Sequence, residues 1–185
     1  MNLYLLAIVP TNSILKVTQE FRAKYAQFSK QQIDPHITIH PPFYPVEISE
    51  ADLFAQLQSL FAPTLKFTVV LKSVNYFQDR RSNVAYFEPD FSSSVDIKQL
   101  ATLAFEALNS KVKNVFSDYN YSPENFVPHL TIAEKITPQA LPQIKQELSA
   151  FNQKLTFEVS SLWLFKHQES IKGWSRIQEI KFNQS

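Results

Sequence analysis

The pattern Pro-His-aliphatic-Thr-Ile occurs twice in the sequence, with its histidines at His36 and His129. Side chains two residues apart in a strand point to the same face, so each motif presents an imidazole beside a hydroxyl, from Thr38 and Thr131 respectively. One such motif alone is more typical of a surface or core position than of a catalyst. Two copies with the same preceding proline indicate that the four side chains form one functional site.

Two imidazoles and two hydroxyls around one point are suited to a phosphate group. One neutral imidazole accepts a proton from water or a ribose hydroxyl, while the other, as an imidazolium, protonates the departing oxygen. The hydroxyls donate to the non-bridging oxygens, where negative charge accumulates. We expect phosphodiester chemistry without a metal or a cofactor, on 2',3'-cyclic phosphates with their strained ring or on linear 2'-5' phosphodiesters. The sequence leaves open which histidine is the acid.

Two further histidines have less certain roles. In a regular strand His40 points to the same face as His36 and Thr38, so it either lines the site or hydrogen-bonds a loop. The spacing of His36 and His40 would suit a metal on a helix, but on a strand it separates the rings by roughly 13 Å. We therefore predict no metal site here. His167 follows a predicted strand and is expected at the surface.

The composition excludes several other kinds of site. The 185 residues include no cysteine, which excludes disulfides, thiolate nucleophiles and cysteine-bound metals. With a single glycine, no P-loop, Rossmann fingerprint or glycine-framed serine elbow can be written. The formal charge of +1 provides no field for holding long nucleic acid, whereas a nucleotide or an RNA end still fits.

The apolar run at residues 3–9 has no basic residue ahead of it and ends at Pro10. It is too short for a signal peptide core or a membrane span and reads as a strand. We therefore expect a cytoplasmic monomer without membrane association. The length and the 44% hydrophobic content fit one medium domain or two small fused lobes.

Hydrophobic periodicity and turn residues predict a similar order of elements in each half of the chain. In the first half we predict strand 3–9, helix 13–28 capped by Thr11 or Asn12, short strand 36–40, a helix to residue 61 with a Ser49 and Asp52 capping box, and strand 65–77. In the second half we predict strand 84–87, helix 95–112, loop 114–125, short strand 129–133, a helix to residue 151 capped at Thr137 and Pro138, and strands 155–166 and 174–182. A polar turn at 79–83 joins the halves, which suggests a duplication with pseudo-repeats of roughly 1–82 and 83–185.

At these motifs the sequence resembles the two-histidine phosphoesterase superfamily, also called the 2'-5' RNA ligase family, whose signature is two His-x-Thr elements. The resemblance extends over nearly the whole chain and includes the Pro-Pro-Phe after the first motif. It implies a single bilobal α+β domain, a duplicated β-α-β-α-β fold with two antiparallel-rich sheets around a central cleft and helices on the outside. It also implies that His36 and His129 are the acid and base and that Thr38 and Thr131 bind phosphate.

The chain departs from the family pattern after the second motif, where RNA-acting relatives often carry an arginine. Here Glu134 places a carboxylate at that point and Lys135 follows, either as a substitute phosphate ligand or as a solvated ion-pair partner. Aromatic side chains accept any nucleobase, so we predict stacking by Phe43, with Tyr44 and Trp174 as further candidates and core packing as the alternative. Arg80 and Arg81 lie at a predicted hairpin tip, where they either meet phosphate or are solvated.

Two functions of different classes are therefore open. The first is a metal-independent phosphodiesterase that acts on a nucleotide with a cyclic phosphate or on an RNA end. The second is a nucleotide or RNA binding module that keeps the cleft without useful catalysis, which the Glu134 departure and the near-neutral charge would suit.

Overall fold

The computed structural model describes residues 2–27, 33–78, 82–115, 122–168 and 173–183. These residues form four helices and nine strands, so the predicted α+β class is confirmed. In chain order the elements are β1 Leu3–Ile8, α1 Asn12–Lys24, β2 Ile37–Pro45, α2 Glu50–Phe61, β3 Phe67–Phe77, β4 Asn83–Pro89, α3 Phe91–Leu108, β5 Val112–Asn114, β6 Leu130–Ile136, α4 Leu141–Ser149, β7 Leu155–Val159, β8 Ser161–Gln168 and β9 Gly173–Lys181. None of these helices is long and apolar enough to cross a bilayer.

The strands form two antiparallel groups that meet at one short pairing. The order across the sheet is β7-β3-β4-β6-β2-β1-β8-β9, and β5 pairs with the outer part of β2. We call β2, β1, β8 and β9 the first lobe and β6, β4, β3 and β7 the second lobe. Between the lobes, β2 and β6 pair only at Ile37 and Leu130. The two predicted sheets are therefore joined into one curled sheet along the line where the two motifs meet.

The halves of the sequence exchange strands between the lobes. β3 comes from the first half but pairs with β4 of the second lobe, and β8 comes from the second half but pairs with β1. The single strand predicted over 155–166 is therefore wrong: it is interrupted at Ser160, where the chain passes from the outer strand of one lobe to the other lobe. The single bilobal domain with pseudo-repeats of roughly 1–82 and 83–185 stays a prediction.

In both lobes the strand that carries the motif pairs with its neighbouring strand in an equivalent register. In the first lobe Thr38 pairs with Ala7, and in the second lobe Thr131 pairs with Tyr86. Both pairings show a register shift at the next step along the strand and a second shift farther on. The same backbone frame therefore presents both motifs.

The helices cover one side of the sheet and also cross between the lobes. α1 packs on β6 and β7 of the second lobe, where Phe21 makes an edge contact of 5.7 Å with Phe87. α3 packs on β2 of the first lobe and on β3 and β4. Between sheet and helices lies the main core, which includes side chains from both lobes. We call the opposite side of the sheet the inner face.

Side-chain caps explain where two helices begin. Ser49 accepts a hydrogen bond from the Asp52 N–H at 3.2 Å and α2 ends at Phe61, which confirms Ser49 as the predicted cap. The Asp52 carboxylate accepts from the Ser49 hydroxyl at 2.6 Å.

α3 begins four residues earlier than predicted because Asp90 accepts from the Ser93 N–H at 2.9 Å, and it also ends four residues earlier, at Leu108. The chain then turns at residues 109–111 and forms β5 from Val112, a strand that the sequence did not predict.

Three other predicted bounds were wrong. α1 ends at Lys24, and residue 28, the predicted end, lies outside the described residues. α4 begins at Leu141 because Thr137 caps the preceding turn, accepting from the Ala140 N–H at 3.3 Å. β2 runs on through Pro42, which lies in a register shift against β1, where a proline is tolerated.

Candidate active site

The single pairing between the lobes determines where both motifs point. Ile37 and Leu130 are partners across it, each is 0% exposed, and both belong to the main core. Neighbours in a strand point to the opposite face, so the histidine before each of them and the threonine after it lie on the inner face. Burial of these two aliphatic side chains, worth about 1.5–3 kcal/mol each, therefore also orients the motifs.

Antiparallel geometry then brings the four motif side chains together. Across the pairing His36 lies beside Thr131, and His129 lies beside Thr38. The two histidines are diagonal neighbours, which on one face of a regular antiparallel pair are roughly 7–8 Å apart. Imidazoles at this spacing can approach one phosphate from two sides.

Both histidines are oriented by the same backbone contact. His36 Nδ1 lies 2.8 Å from the Asp34 carbonyl oxygen, and His129 Nδ1 lies 2.8 Å from the Val127 carbonyl oxygen. A carbonyl oxygen only accepts hydrogen bonds, so each Nδ1 carries a hydrogen. Nε2 is then the nitrogen of each ring that can accept or return a proton.

The surroundings favour neutral rings in the absence of a ligand. Burial lowers the pKa of His36 to about 4, and the charges of Arg22 and His129 lower it further, against the effect of the Asp34 carbonyl. Burial also lowers the pKa of His129, while its bond to Val127 opposes the change. A bound phosphate anion would raise both pKa values and favour one imidazolium.

A phenylalanine from the next strand but one in the same lobe flanks each histidine. Phe165 of β8 lies 5.8 Å from the His36 ring, and Phe77 of β3 lies 5.0 Å from the His129 ring. Tyr86 adds a second aromatic contact to His129 at 5.4 Å. These rings limit the orientations of the imidazoles and exclude water from part of their surface.

The structure places His40 in the core, so its predicted orientation toward the site was wrong. A register shift against β1 follows Thr38, and His40 pairs with Leu6, a core residue. Such a bulge turns the following side chains to the other face. His40 is 1% exposed, lies 4.7 Å from the Phe105 ring, and has Nδ1 3.0 Å from the Pro41 carbonyl.

The other residues predicted to contact the substrate lie in different parts of the molecule. Phe43 is 0% exposed and packs on Tyr4 at 6.0 Å, so it lies in the core and not on the inner face. Lys135 is exposed near the end of β6, in a left-handed conformation with φ of 56°. Tyr44 is half-buried. Arg80 and Arg81 fall outside the described residues.

Trp174 is the aromatic candidate that lies on the inner face. It packs against a small apolar cluster there that includes Phe165 and Ala7. His167, expected at the surface, is half-buried and makes an edge contact of 5.4 Å with the Trp174 indole. Trp174 therefore packs on the cluster that contains Phe165, whose ring lies beside His36.

Sequence reasoning missed Arg22, which reaches the motifs from α1. Its Nε donates to the Thr131 carbonyl at 3.2 Å and its Nη1 donates to the Ile33 carbonyl at 2.8 Å. Thr131 lies 109 residues farther along the chain, so no local pattern could reveal the contact. Among the described residues, no group of three or more His, Asp or Glu side chains could hold a metal ion.

Comparisons with known proteins identify similar sequences and similar folds. A Staphylococcus aureus protein named "Putative phosphoesterase" is 25% identical over 180 residues, covering 95% of this chain and 96% of that protein. Thermus thermophilus TT0787 has a similar fold, with a TM-score of 0.62 at 16% identity, covering 98% of this chain and 97% of TT0787.

Escherichia coli LigT, in its crystal structure complexed with 3'-AMP, gives a TM-score of 0.61 at 15% identity, covering 99% of each chain. The family model of the 2'-5' RNA ligase superfamily matches residues 10–170, a range that includes both motifs. The chain therefore belongs to the 2'-5' RNA ligase superfamily, the two-histidine phosphoesterases.

Proposed function

We propose that this protein is a phosphodiesterase that acts on 2',3'-cyclic phosphates or 2'-5' phosphodiester bonds of nucleotides or RNA ends, with His36 and His129 as acid and base. The observation that carries the proposal is the single pairing between the lobes, which sets both motifs side by side on the inner face. The family membership supports a phosphoesterase.

The hydrolysis of a cyclic phosphate can be written with these groups alone. Water attacks the phosphorus atom while Nε2 of one neutral histidine accepts its proton. The bond from phosphorus to one ribose oxygen breaks, and Nε2 of the other histidine, as imidazolium, protonates that oxygen. The Thr38 and Thr131 hydroxyls donate to the non-bridging oxygens, and the product is a nucleoside 2'- or 3'-monophosphate.

A nucleotide or an RNA end suits this chain best as a substrate. The similar protein LigT has been crystallised with 3'-AMP, with ATP and with NADP+, and we carry nucleotide binding over to this chain as part of the proposal. The net charge of +1 supports a nucleotide or an RNA end over a long RNA backbone. Trp174 is the proposed stacking partner and Lys135 a proposed phosphate contact, whereas Phe43 and His40 are left out because they lie in the core.

A substrate panel in EDTA tests the proposal. We expect turnover of at least one 2',3'-cyclic nucleotide or 2'-5' linked dinucleotide, and a loss of roughly 100- to 10,000-fold in kcat for His36→Ala and for His129→Ala. His167→Ala is the matched control, since that histidine contacts Trp174 and neither motif, and its kcat should stay within a few fold of wild type.

Two results would contradict the proposal. One is the absence of turnover on every cyclic and 2'-5' substrate, and the other is turnover that appears only when metal is added. If 3'-AMP binds without turnover of any substrate, and His36→Ala changes nothing but affinity, the protein is the binding module that retains the cleft.

A further inference from the structure

The duplicated frame raises a chemical difficulty, because acid and base catalysis requires two imidazoles in different protonation states. Their backbone contacts are the same, with Nδ1 of each bonded to the carbonyl two residues earlier. A group supplied by only one half of the chain must therefore distinguish His36 from His129.

Arg22 is such a group. α1 has its N-cap at Thr11 and α3 has its N-cap at Asp90, so the two helices can be compared residue by residue. The eleventh residue after the cap is Arg22 in α1 and Ala101 in α3. Ala101 is 0% exposed and has no charge to offer, so α3 has no counterpart of this guanidinium at the equivalent position.

The guanidinium connects the segments that carry the two motifs. One hydrogen bond goes to Ile33, three residues before His36, and the other goes to the backbone of Thr131 inside the second motif. Both acceptors are neutral carbonyls, so these bonds do not cancel the positive charge. Because β2 and β6 pair at a single position, a side chain that bonds both segments restrains their separation.

Arg22 is half-buried, and one end of its guanidinium is held away from water. Its Nη2 is buried without a hydrogen-bond partner, and burial lowers the pKa of the side chain to about 10, although Glu134 and Asp34 oppose the change. At neutral pH it stays charged. A buried cation with an unused N–H donor is costly and is expected where it serves a functional site.

The charge acts on one histidine in particular. The groups that face His36 are Arg22 from α1, His129 across the pairing, and Asp34, whose carboxylate is paired with Arg176 of β9 at 3.0 Å. Arg22 contributes to the lowered pKa of His36, whereas the lowered pKa of His129 comes from its burial. The cation therefore disfavours a proton on His36 more than on His129.

We infer that Arg22 is the positioning residue that makes the two halves of the site unequal, because it comes from one half of the chain and bonds the segments that carry both motifs. This inference rests on the proposed function for its consequence in catalysis. It concerns a residue outside both motifs.

Two replacements of Arg22 separate the effect of its positive charge from the effect of its two hydrogen bonds. In Arg22→Gln the pKa of His36, followed through its ring C–H NMR signals, should rise, while that of His129 changes less. The acidic limb of kcat/KM should move to higher pH, because His36 then becomes protonated at a higher pH. We expect kcat to fall roughly 10- to 100-fold, with KM changed less, because the reacting groups lose their alignment.

Arg22→Lys keeps the charge but not the planar fork that bonds two carbonyls. Its acidic limb should stay near that of wild type while kcat falls. Lys24→Gln is the matched control, since it removes a positive charge from the same helical turn and Lys24 pairs with Glu147 at 2.7 Å. That control should alter neither the limb nor the His36 titration.

The outcomes distinguish this inference from the proposed function. If wild type is active but Arg22→Gln leaves the His36 titration and the acidic limb unchanged, the inference is overturned and the proposed function stands. If wild type is inactive on every substrate, the proposed function fails, and the NMR titration alone decides whether Arg22 distinguishes the histidines. A larger pKa rise for His129 than for His36 would refute the inference.

Discussion

The two lobes present their motifs on the same backbone frame and surround them differently. Thr38 pairs with Ala7 in the first lobe, whereas Thr131 pairs with Tyr86 in the second. The Tyr86 ring contacts His129, and the small alanine side chain offers no such cover in the first lobe. The backbone thus positions the two imidazoles in the same way, whereas the side chains around the two rings differ.

The outer parts of the inner face also differ. The first lobe carries Trp163, whose ring lies 5.2 Å from the Arg176 guanidinium. The second lobe carries a polar group in which Ser73 and Asn75 donate to Glu88 at 3.3 and 3.4 Å. A cleft with one aromatic wall and one carboxylate-bearing polar wall is suited to a ligand that carries an aromatic base on one side of its phosphate and hydroxyl groups on the other.

Removal of the Thr38 or Thr131 hydroxyl tests whether the two lobes contribute equally to catalysis. Thr38→Val and Thr131→Val keep the shape of the side chain, and each should lower kcat by about 100-fold because one donor to the phosphate is lost. Steady-state kinetics on the best cyclic nucleotide measures both effects. Similar losses would show that the lobes hold the phosphate equally, and a large difference would locate the stronger contact.

Thr102→Val is the control for that experiment, because its hydroxyl bonds only the Lys98 carbonyl within α3 at 3.0 Å. It should leave kcat unchanged. Wild-type rates in both motif variants would show that neither hydroxyl contacts the reacting phosphate.

A smaller effect is expected on stability. At the equivalent bulges the first lobe has His40 and the second has Ala133, and both side chains are buried. Burial lowers the pKa of His40 to about 4. In the unfolded chain the His40 imidazole binds a proton near pH 6.5, whereas in the folded chain it stays neutral down to about pH 4. The stabilising effect of the buried neutral ring is therefore fully present above pH 6.5 and is lost as the pH falls toward 4.

His40→Leu should therefore reduce the acid sensitivity of the free energy of unfolding. The change between pH 7 and pH 4 should become smaller by up to about 3 kcal/mol, as expected for a pKa displaced from 6.5 to about 4. Urea unfolding at a series of pH values measures it. An unchanged pH dependence would mean that His40 titrates alike in both states.

The motifs were predictable because their chemistry and their strand context are local. Prolines and β-branched residues around His36 indicated a strand, and the Ser49 cap marked the start of α2. The repeat itself indicated that the two motifs meet. These features depend on residues within one element or on identical short patterns.

The missed features depend on contacts between distant segments. The face of His40 follows from a bulge against β1, which the sequence of β2 does not encode by itself. The division of residues 155–166 follows from two different partner strands, β3 and β1. Arg22 acquires its role from carbonyls in two other segments, so its own helix gives no sign of it.

The most direct test of the account is a crystal structure of the protein with 3'-AMP. We predict that the phosphate lies between the lobes, with Nε2 of His36 and Nε2 of His129 each about 2.6–3.2 Å from one of its oxygens. A phosphate that contacts one histidine alone, or that binds away from the inner face, would contradict the claim that both lobes act on one phosphorus atom.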